Sequence, residues 1–64
     1  MKNTVDFKYL NDAISTVCQN YEIIKIIRGV IIPAICQTEA GEVLILRRRS
    51  GNKIRYSIHN LTNN

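Results

Sequence analysis

The residues best suited to chemistry form a run of positive charge near the C-terminal end of the chain. Between residues 47 and 55 the sequence carries five cationic side chains and no acidic one: Arg47, Arg48, Arg49, Lys53 and Arg55. Guanidinium groups bind phosphate oxygens in a bidentate manner, and such contacts release the counterions condensed on nucleic acids. The run therefore predicts a phosphate-binding surface, to which Asn52 adds a polar side chain.

The cationic run coincides with a predicted β-hairpin. Residues 42–49 and 53–59 are rich in aliphatic side chains, and residues 50–52 between them have the composition of a tight turn. Because side chains alternate along a strand, we expect the first and third arginines on one side of the hairpin and the second on the other. Tyr56 falls on the apolar side of its strand and is expected in the core, although a ring at this position can also stack on a base.

Cationic side chains near a strand also have a purely protective role. They keep exposed strand edges from pairing with other chains, and they flank aggregation-prone runs such as residues 43–46. Five cations with no acid among them exceed this need, because side chains of mixed sign would serve as well. We therefore rank DNA or RNA first as the partner of the hairpin, an acidic protein surface second and a solvated edge last.

The sequence shows little that is typical of an enzyme or of a metal site. His59 is the only histidine, and Cys18 and Cys36 lack the CxxC spacing of zinc and redox sites. The acidic residues are scattered singly, and no glycine-rich loop is present to hold a phosphate. We expect no catalytic residue, no metal and no cofactor, with His59 on the surface of a strand and both cysteines on apolar faces.

Length and charge distribution indicate one small basic domain. The 64 residues allow a single domain over residues 1–64, with marginal stability. Residues 1–40 carry four basic and four acidic side chains, so the net charge of +4 arises in the last third of the chain. The first residues do not resemble a secretion signal, and the apolar run at 30–36 is too short to cross a membrane. We expect two free thiols, a cytoplasmic location and no membrane partner.

Residues 5–19 have the periodicity of an amphipathic helix. Apolar side chains recur at spacings of three and four residues, at Phe7, Leu10, Ile14, Val17 and Tyr21. Asn3 or Thr4 is expected to cap the N-terminus of this helix, and Asp6 suits its first turn. The polar side chains between these positions are expected to face solvent.

The rest of the chain, residues 21–59, is predicted to form an antiparallel meander of three or four strands, with a frayed tail at 60–64. The fold class is therefore α+β, with the helix packed on the sheet, and we favour a small SH3-like or Sm-like barrel. Residues 21–28 also fit a helix period, although four isoleucines favour a strand. The alternative is a winged helix, in which residues 21–28 and 33–40 are helices and residues 42–59 form the wing.

Several predicted strands carry aliphatic side chains on both faces, as at residues 23–27, 30–35 and 43–46. One helix covers only one face of a small sheet, so we expect either a closed barrel or a second chain over the other face. The protein is therefore expected to form a homo-oligomer or a hetero-complex.

Together these features predict a small nucleic-acid-binding accessory or regulatory protein that contacts phosphates through a basic hairpin. The alternative is a protein of the phage or mobile-element type that binds and inhibits or modulates a host protein through this hairpin and an exposed strand edge. The Asn-, Ile- and Lys-rich composition resembles that of small accessory proteins of phages and mobile elements, although no motif identifies a family. Base-specific contacts are not expected, because no recognition helix is evident.

Overall fold

The chain folds as one helix packed on an open, four-stranded antiparallel sheet. The computed structural model describes residues 6–60. The elements follow in the order α1 (Leu10–Asn20), β1 (Ile23–Arg28), β2 (Ala34–Thr38), β3 (Gly41–Ser50) and β4 (Lys53–Asn60). Each strand pairs with its neighbours in the chain, so the sheet order is β1-β2-β3-β4. The predicted α+β class is thus confirmed.

The helix begins later than the sequence predicts. α1 starts at Leu10 rather than at residue 5, because Phe7 forms an antiparallel bridge with Tyr56 instead of a helical turn. Two backbone hydrogen bonds of 2.8 Å make this bridge, one donated by Phe7 N to Tyr56 O and one by Tyr56 N to Phe7 O. A contact between residues far apart in sequence has overridden the local periodicity.

The start of the helix consequently lacks the predicted cap. The N-cap residue is Tyr9, whose side chain makes no capping hydrogen bond, and the acid in the first turn is Asp12 rather than Asp6. The predicted caps Asn3 and Thr4 lie outside the described residues. No helix within residues 6–60 is long and apolar enough to cross a membrane.

The detailed architectures expected for the sheet are not found. The winged-helix alternative is wrong, because residues 23–28 and 34–38 form strands rather than helices. The barrel is not closed within the described residues, since β1 and β4 are the two edges of the sheet and do not pair with each other. The isoleucines of β1 favour a strand because branched side chains are less restricted in an extended backbone than in a helix.

The hydrophobic core lies between α1 and one face of the sheet. It consists of Ala13, Ile14 and Val17 from the helix and of Ala34, Cys36, Val43 and Ile45 from β2 and β3. None of these residues is more than 9% exposed. Cys18, by contrast, is exposed, so the expectation of an apolar environment is wrong for this cysteine and right for Cys36.

The other face of the sheet has no helix over it. The register aligns Ile27 of β1, Ile35 of β2 and Leu44 of β3 across this face, and none of the three is fully buried. Within residues 6–60 no element covers this row. A second chain over this face therefore stays a prediction.

Glu22 and Glu39 are linked by hydrogen bonds at the end of the sheet that carries the β2–β3 turn. Thr38 Oγ1 donates a 2.7 Å hydrogen bond to Gly41 O and accepts one of 3.0 Å from Ala40 N, which closes the predicted turn at residues 38–41. Glu39 Oε1 accepts a 2.9 Å hydrogen bond from Glu22 N, and Glu39 N donates to Glu22 O at 3.2 Å. These two acids are therefore held at the end of the sheet opposite the β3–β4 hairpin.

Asn60 is ordered within the sheet, contrary to the predicted frayed tail. It lies opposite Val43 as the last residue of β4, and its Nδ2 donates to the Tyr21 hydroxyl at 3.4 Å. The remaining residues of the predicted tail, 61–64, lie outside the described part of the chain.

Ile45 is fully buried at the centre of the core, so its truncation tests the packing of α1 on the sheet. We expect Ile45→Ala to lower the free energy of unfolding by about 2–5 kcal/mol in urea denaturation, through lost burial and a residual cavity. Ile24→Ala is the matched control, because Ile24 is 70% exposed and its truncation should change stability by no more than about 0.5 kcal/mol. Equal effects of the two substitutions would contradict the described core.

The two cysteines should differ in reactivity. Burial raises the pKa of the Cys36 thiol above its ordinary value of 9.0, the nearby Cys18 thiol raises it further, and Arg28 partly opposes the shift. At neutral pH a thiol reagent should therefore label exposed Cys18 at once and Cys36 only when the chain unfolds. Two equally fast thiols in the native protein would contradict the burial of Cys36.

The same shift makes stability depend on alkaline pH. The folded-state pKa of Cys36 lies above the unfolded one, so the stabilisation is complete below about pH 9 and is lost as the pH rises through the folded-state value. Wild type should lose more free energy of unfolding than Cys36→Ala when urea denaturation at about pH 7.5 is compared with that at about pH 10. Equal losses of the free energy of unfolding in wild type and Cys36→Ala would show that titratable groups other than Cys36 cause the decline.

Candidate nucleic-acid interface

The β3–β4 hairpin extends well beyond the rest of the sheet. β2 begins at Ala34, which lies opposite Ile45, so the later residues of β3 pair with β4 alone. Residues 46–50 and 53–57 therefore form a two-stranded ribbon, hereafter called the basic ribbon. At about 3.3 Å per residue it projects about 15 Å past the end of β2.

A two-residue turn closes the basic ribbon. Ser50 pairs with Lys53, which leaves Gly51 and Asn52 as the turn residues. Gly51 has a φ of 64°, the left-handed conformation for which glycine is favoured, as in turns with glycine at their first central position. Asn52 is exposed at the tip, where its amide is free to contact a partner.

The five cations lie on both faces of the basic ribbon. Arg47 is opposite Tyr56 and Arg49 is opposite Ile54, which places both arginines on the face that continues from the core. The other face carries Arg48, Arg55 and Lys53, since Arg48 pairs with Arg55 and Lys53 with Ser50. The predicted alternation of the three consecutive arginines agrees with this register.

Arg48 and Arg55 form a like-charge pair in directly opposed positions of the two strands. Such a pair destabilises a sheet, because the two side chains share one face at a Cβ separation of about 5 Å. Within residues 6–60, no acidic side chain forms an ion pair with either arginine, and Arg55 Nη1 donates only to its neighbour's carbonyl, Ile54 O, at 3.0 Å. The folded chain thus holds unbalanced positive charge at this position.

Most cations of the basic ribbon make no hydrogen bond to another part of the described chain. Arg48, Arg49 and Lys53 are exposed and make no hydrogen bond within the described residues. Arg47 is the exception, because its guanidinium donates to Val30 O in the β1–β2 loop at 3.5 Å. At least four cationic groups are therefore available to an anionic partner.

The base of the basic ribbon is fixed by the segment that precedes α1. Phe7 adds a bridge to the outer edge of β4 at Tyr56, and both rings pack partly buried against the core. Tyr56 is therefore a structural residue, as expected from its position on the apolar side of its strand. This anchoring matters because an isolated two-stranded hairpin has little stability in water.

Two further cations, Lys8 and Arg28, lie near the basic ribbon, although the sequence pattern did not assign them to the candidate site. Lys8 directly follows Phe7, so the antiparallel bridge to Tyr56 brings it next to Arg55. Arg28 ends β1 opposite Ala34, at the same end of the sheet as the ribbon. Neither is adjacent in sequence to the cationic run, and only the strand pairing brings them there.

His59 lies on the surface of its strand, as the sequence predicts. His59 is exposed on β4, with its Nε2 hydrogen-bonded to Ser57 Oγ at 2.9 Å. Within residues 6–60 no group of three His, Cys, Asp or Glu side chains lies close enough together to hold a metal ion.

Comparisons with protein-family models, with curated proteins and with solved structures found no match to this chain.

The like-charge pair predicts a stabilising substitution within the candidate site. Arg48→Glu should raise the free energy of unfolding by about 0.2–1 kcal/mol, because it replaces repulsion with an opposite-charge pair facing Arg55. Arg49→Glu changes the net charge equally but lies opposite Ile54 and makes no hydrogen bond within the described residues, so it serves as the matched control in urea denaturation. Equal shifts in both variants would show that direct opposition to Arg55 is not the cause.

Proposed function

We propose that this protein binds nucleic acid by placing the basic ribbon between two rows of phosphates. The observation that carries the proposal is the distribution of charge on both faces of a slim, projecting ribbon. Arg47 and Arg49 are on one face, and the opposed pair Arg48 and Arg55 is on the other. A groove of nucleic acid presents phosphates on two sides, and it complements this distribution better than a flat surface does.

The like-charge pair supports the same proposal. A chain that holds Arg48 opposite Arg55 without a balancing acid within the described residues has given up some stability. A phosphate placed between two guanidinium groups accepts hydrogen bonds from both and converts the repulsion into binding energy. The ion-paired partner is then the nucleic acid rather than another part of the chain.

Binding of this kind is electrostatic and shows little sequence preference. Four or five phosphate contacts give a slope of log affinity against log salt concentration of roughly −4. Asn52 lies in the two-residue turn, beyond the exposed Ser50, and is the uncharged polar side chain best placed to reach a base edge. A small accessory or regulatory role, in which a further partner supplies target choice, is compatible with such binding.

An acidic protein surface is the second candidate partner. The open edge β1 supports it, because Ile24 is 70% exposed there and Lys25 and Arg28 are exposed on the same strand. An acidic segment that added a strand to β1 would satisfy both the edge and its charges. In this case the protein would inhibit or modulate its partner, and the basic ribbon would assist docking.

Salt-dependent binding distinguishes the two candidates. Purified, nuclease-treated protein is titrated into labelled duplex DNA, single-stranded DNA and RNA at several salt concentrations, and anisotropy is recorded. Wild type should bind with a steep salt slope, and Arg48→Ala and Arg55→Ala should each reduce that slope by about one because each removes a phosphate contact. Lys25→Ala is the control, since Lys25 is an exposed cation of β1 outside the basic ribbon.

An unchanged slope in both arginine variants would contradict a role of the basic ribbon in phosphate binding. Equal losses in Lys25→Ala would indicate that net charge, rather than this ribbon, drives the association. If wild type binds none of the three nucleic acids at low salt, the proposal fails and the acidic protein surface becomes the better candidate.

A further inference from the structure

The loop between β1 and β2 presents aliphatic side chains to solvent beside the basic ribbon. Val30 is 85% exposed and Ile31 is 88% exposed. The loop is held against the ribbon by the hydrogen bond from Arg47 to Val30 O. We call Val30 and Ile31 the apolar tip. Its exposure serves no packing purpose within the described chain.

The conformation of this loop is well constrained. Gly29 N donates to Pro33 O at 3.4 Å, which closes the loop into a tight bend. A Cβ atom at Gly29 would lie 3.0 Å from Ile32 O, so any larger residue there would be tightly packed against the loop backbone. Pro33 is buried at the far end and restricts the backbone further. These features restrict the backbone on either side of the apolar tip.

A mostly apolar hollow lies beside the apolar tip, and Val30 and Ile31 form part of its wall. Its volume is about 330 Å³, and Ile27, Ile35 and Arg28 also lie on its walls. One end of the molecule thus combines an apolar tip, an apolar hollow and the cations of the basic ribbon. A partner that contacts this end must offer both anionic groups and apolar surfaces.

We propose that the apolar tip wedges between two base pairs of double-stranded DNA and bends the duplex while the basic ribbon holds its phosphates. This inference rests on the proposed function and extends it to a substrate class and a binding mode. Aliphatic side chains that enter the minor groove unstack a base step, bend the duplex toward the major groove and open the minor groove. The wedge therefore creates the width that a two-stranded ribbon needs there, since an undistorted minor groove is only about 6 Å wide.

Two observations favour duplex DNA over other partners of similar chemistry. Single-stranded nucleic acid is bound mainly by stacking on aromatic rings, whereas the apolar tip is aliphatic and Tyr56 is packed against the core. The exposed ring of Tyr9 lies at the N-cap of α1, on the β4 side of the sheet and away from the apolar tip. A lipid surface meets a protein from one side, whereas the basic ribbon carries cations on both faces. A duplex offers phosphates on two sides and base planes between them.

The test is a bending assay on a duplex labelled at its two ends with a fluorescence donor and acceptor. The duplex carries a flexible TA step at its centre, because pyrimidine–purine steps are the easiest to kink. Wild type is compared with the double variant Val30→Ser/Ile31→Ser. The matched control is Ile24→Ser, which removes an exposed isoleucine from the opposite end of β1. All three proteins are first compared by circular dichroism and thermal unfolding.

Wild type and Ile24→Ser should bend the duplex and show higher energy transfer on binding. The double variant should keep a slope of log affinity against log salt concentration within about one unit of the wild-type slope, because its cations are unchanged. It should no longer bend the duplex, and its affinity should fall about tenfold. Retention of the full bend and affinity by the double variant would overturn the wedge. Binding of wild type without any bend would overturn it as well, while leaving the phosphate-binding function intact.

Failure of the proposed function gives a different result from failure of the wedge. If wild type binds no nucleic acid at low salt, the function fails and the inference fails with it. Vesicles of neutral lipid and of mixed neutral and anionic lipid complete the experiment. Binding to anionic vesicles that depends on Val30 and Ile31, without DNA bending, would assign the apolar tip to a lipid surface and overturn the proposal.

Discussion

The unequal length of β2 and β3 is the constraint on which the rest of the structure depends. β3 runs from Gly41 to Ser50, whereas β2 covers only its first half and begins at Ala34 opposite Ile45. The first half of β3 can therefore supply core residues, while the second half leaves the sheet with β4 as a ribbon. The first half of β3 thus contributes buried aliphatic side chains to the core, and the second half carries the exposed arginines.

Positive charge can accumulate in the basic ribbon because its outer half is exposed to solvent, with Arg47, Arg48, Arg49 and Lys53 exposed on its two faces. A buried cation would need a partner, whereas an exposed one keeps most of its solvation and costs little. The cost that remains is the repulsion between Arg48 and Arg55, which the bridge between Phe7 and Tyr56 and the continuous ladder of β3 and β4 help to offset. Glu39 hydrogen-bonds to the backbone of Glu22 through both its carboxylate and its own backbone N–H, and this pair lies at the far end of the sheet, where it does not neutralise the ribbon.

Local patterns predicted the strands more accurately than the helix. The alternation in residues 53–59 and the turn residues 50–52 depend on neighbours in sequence, so β4 and the hairpin agree with expectation. The predicted helix included Phe7 because its spacing to Leu10 fits a helical face, but pairing with Tyr56 gives Phe7 two backbone hydrogen bonds and a place against the core. Closure into a barrel was equally a question of long-range pairing, and periodicity carries no information on whether two edge strands meet.

The sequence by itself determined the composition of the candidate site: five cations between Arg47 and Arg55, no acid among them, and a turn that brings the two arms together. Only the tertiary structure decided that this hairpin projects beyond the sheet, that Arg48 lies directly opposite Arg55, and that the apolar tip stands beside them. The physical reason is that charge and turn preference are properties of short segments. Register, projection and the meeting of separate loops depend on where each strand stops, which packing of the whole chain sets.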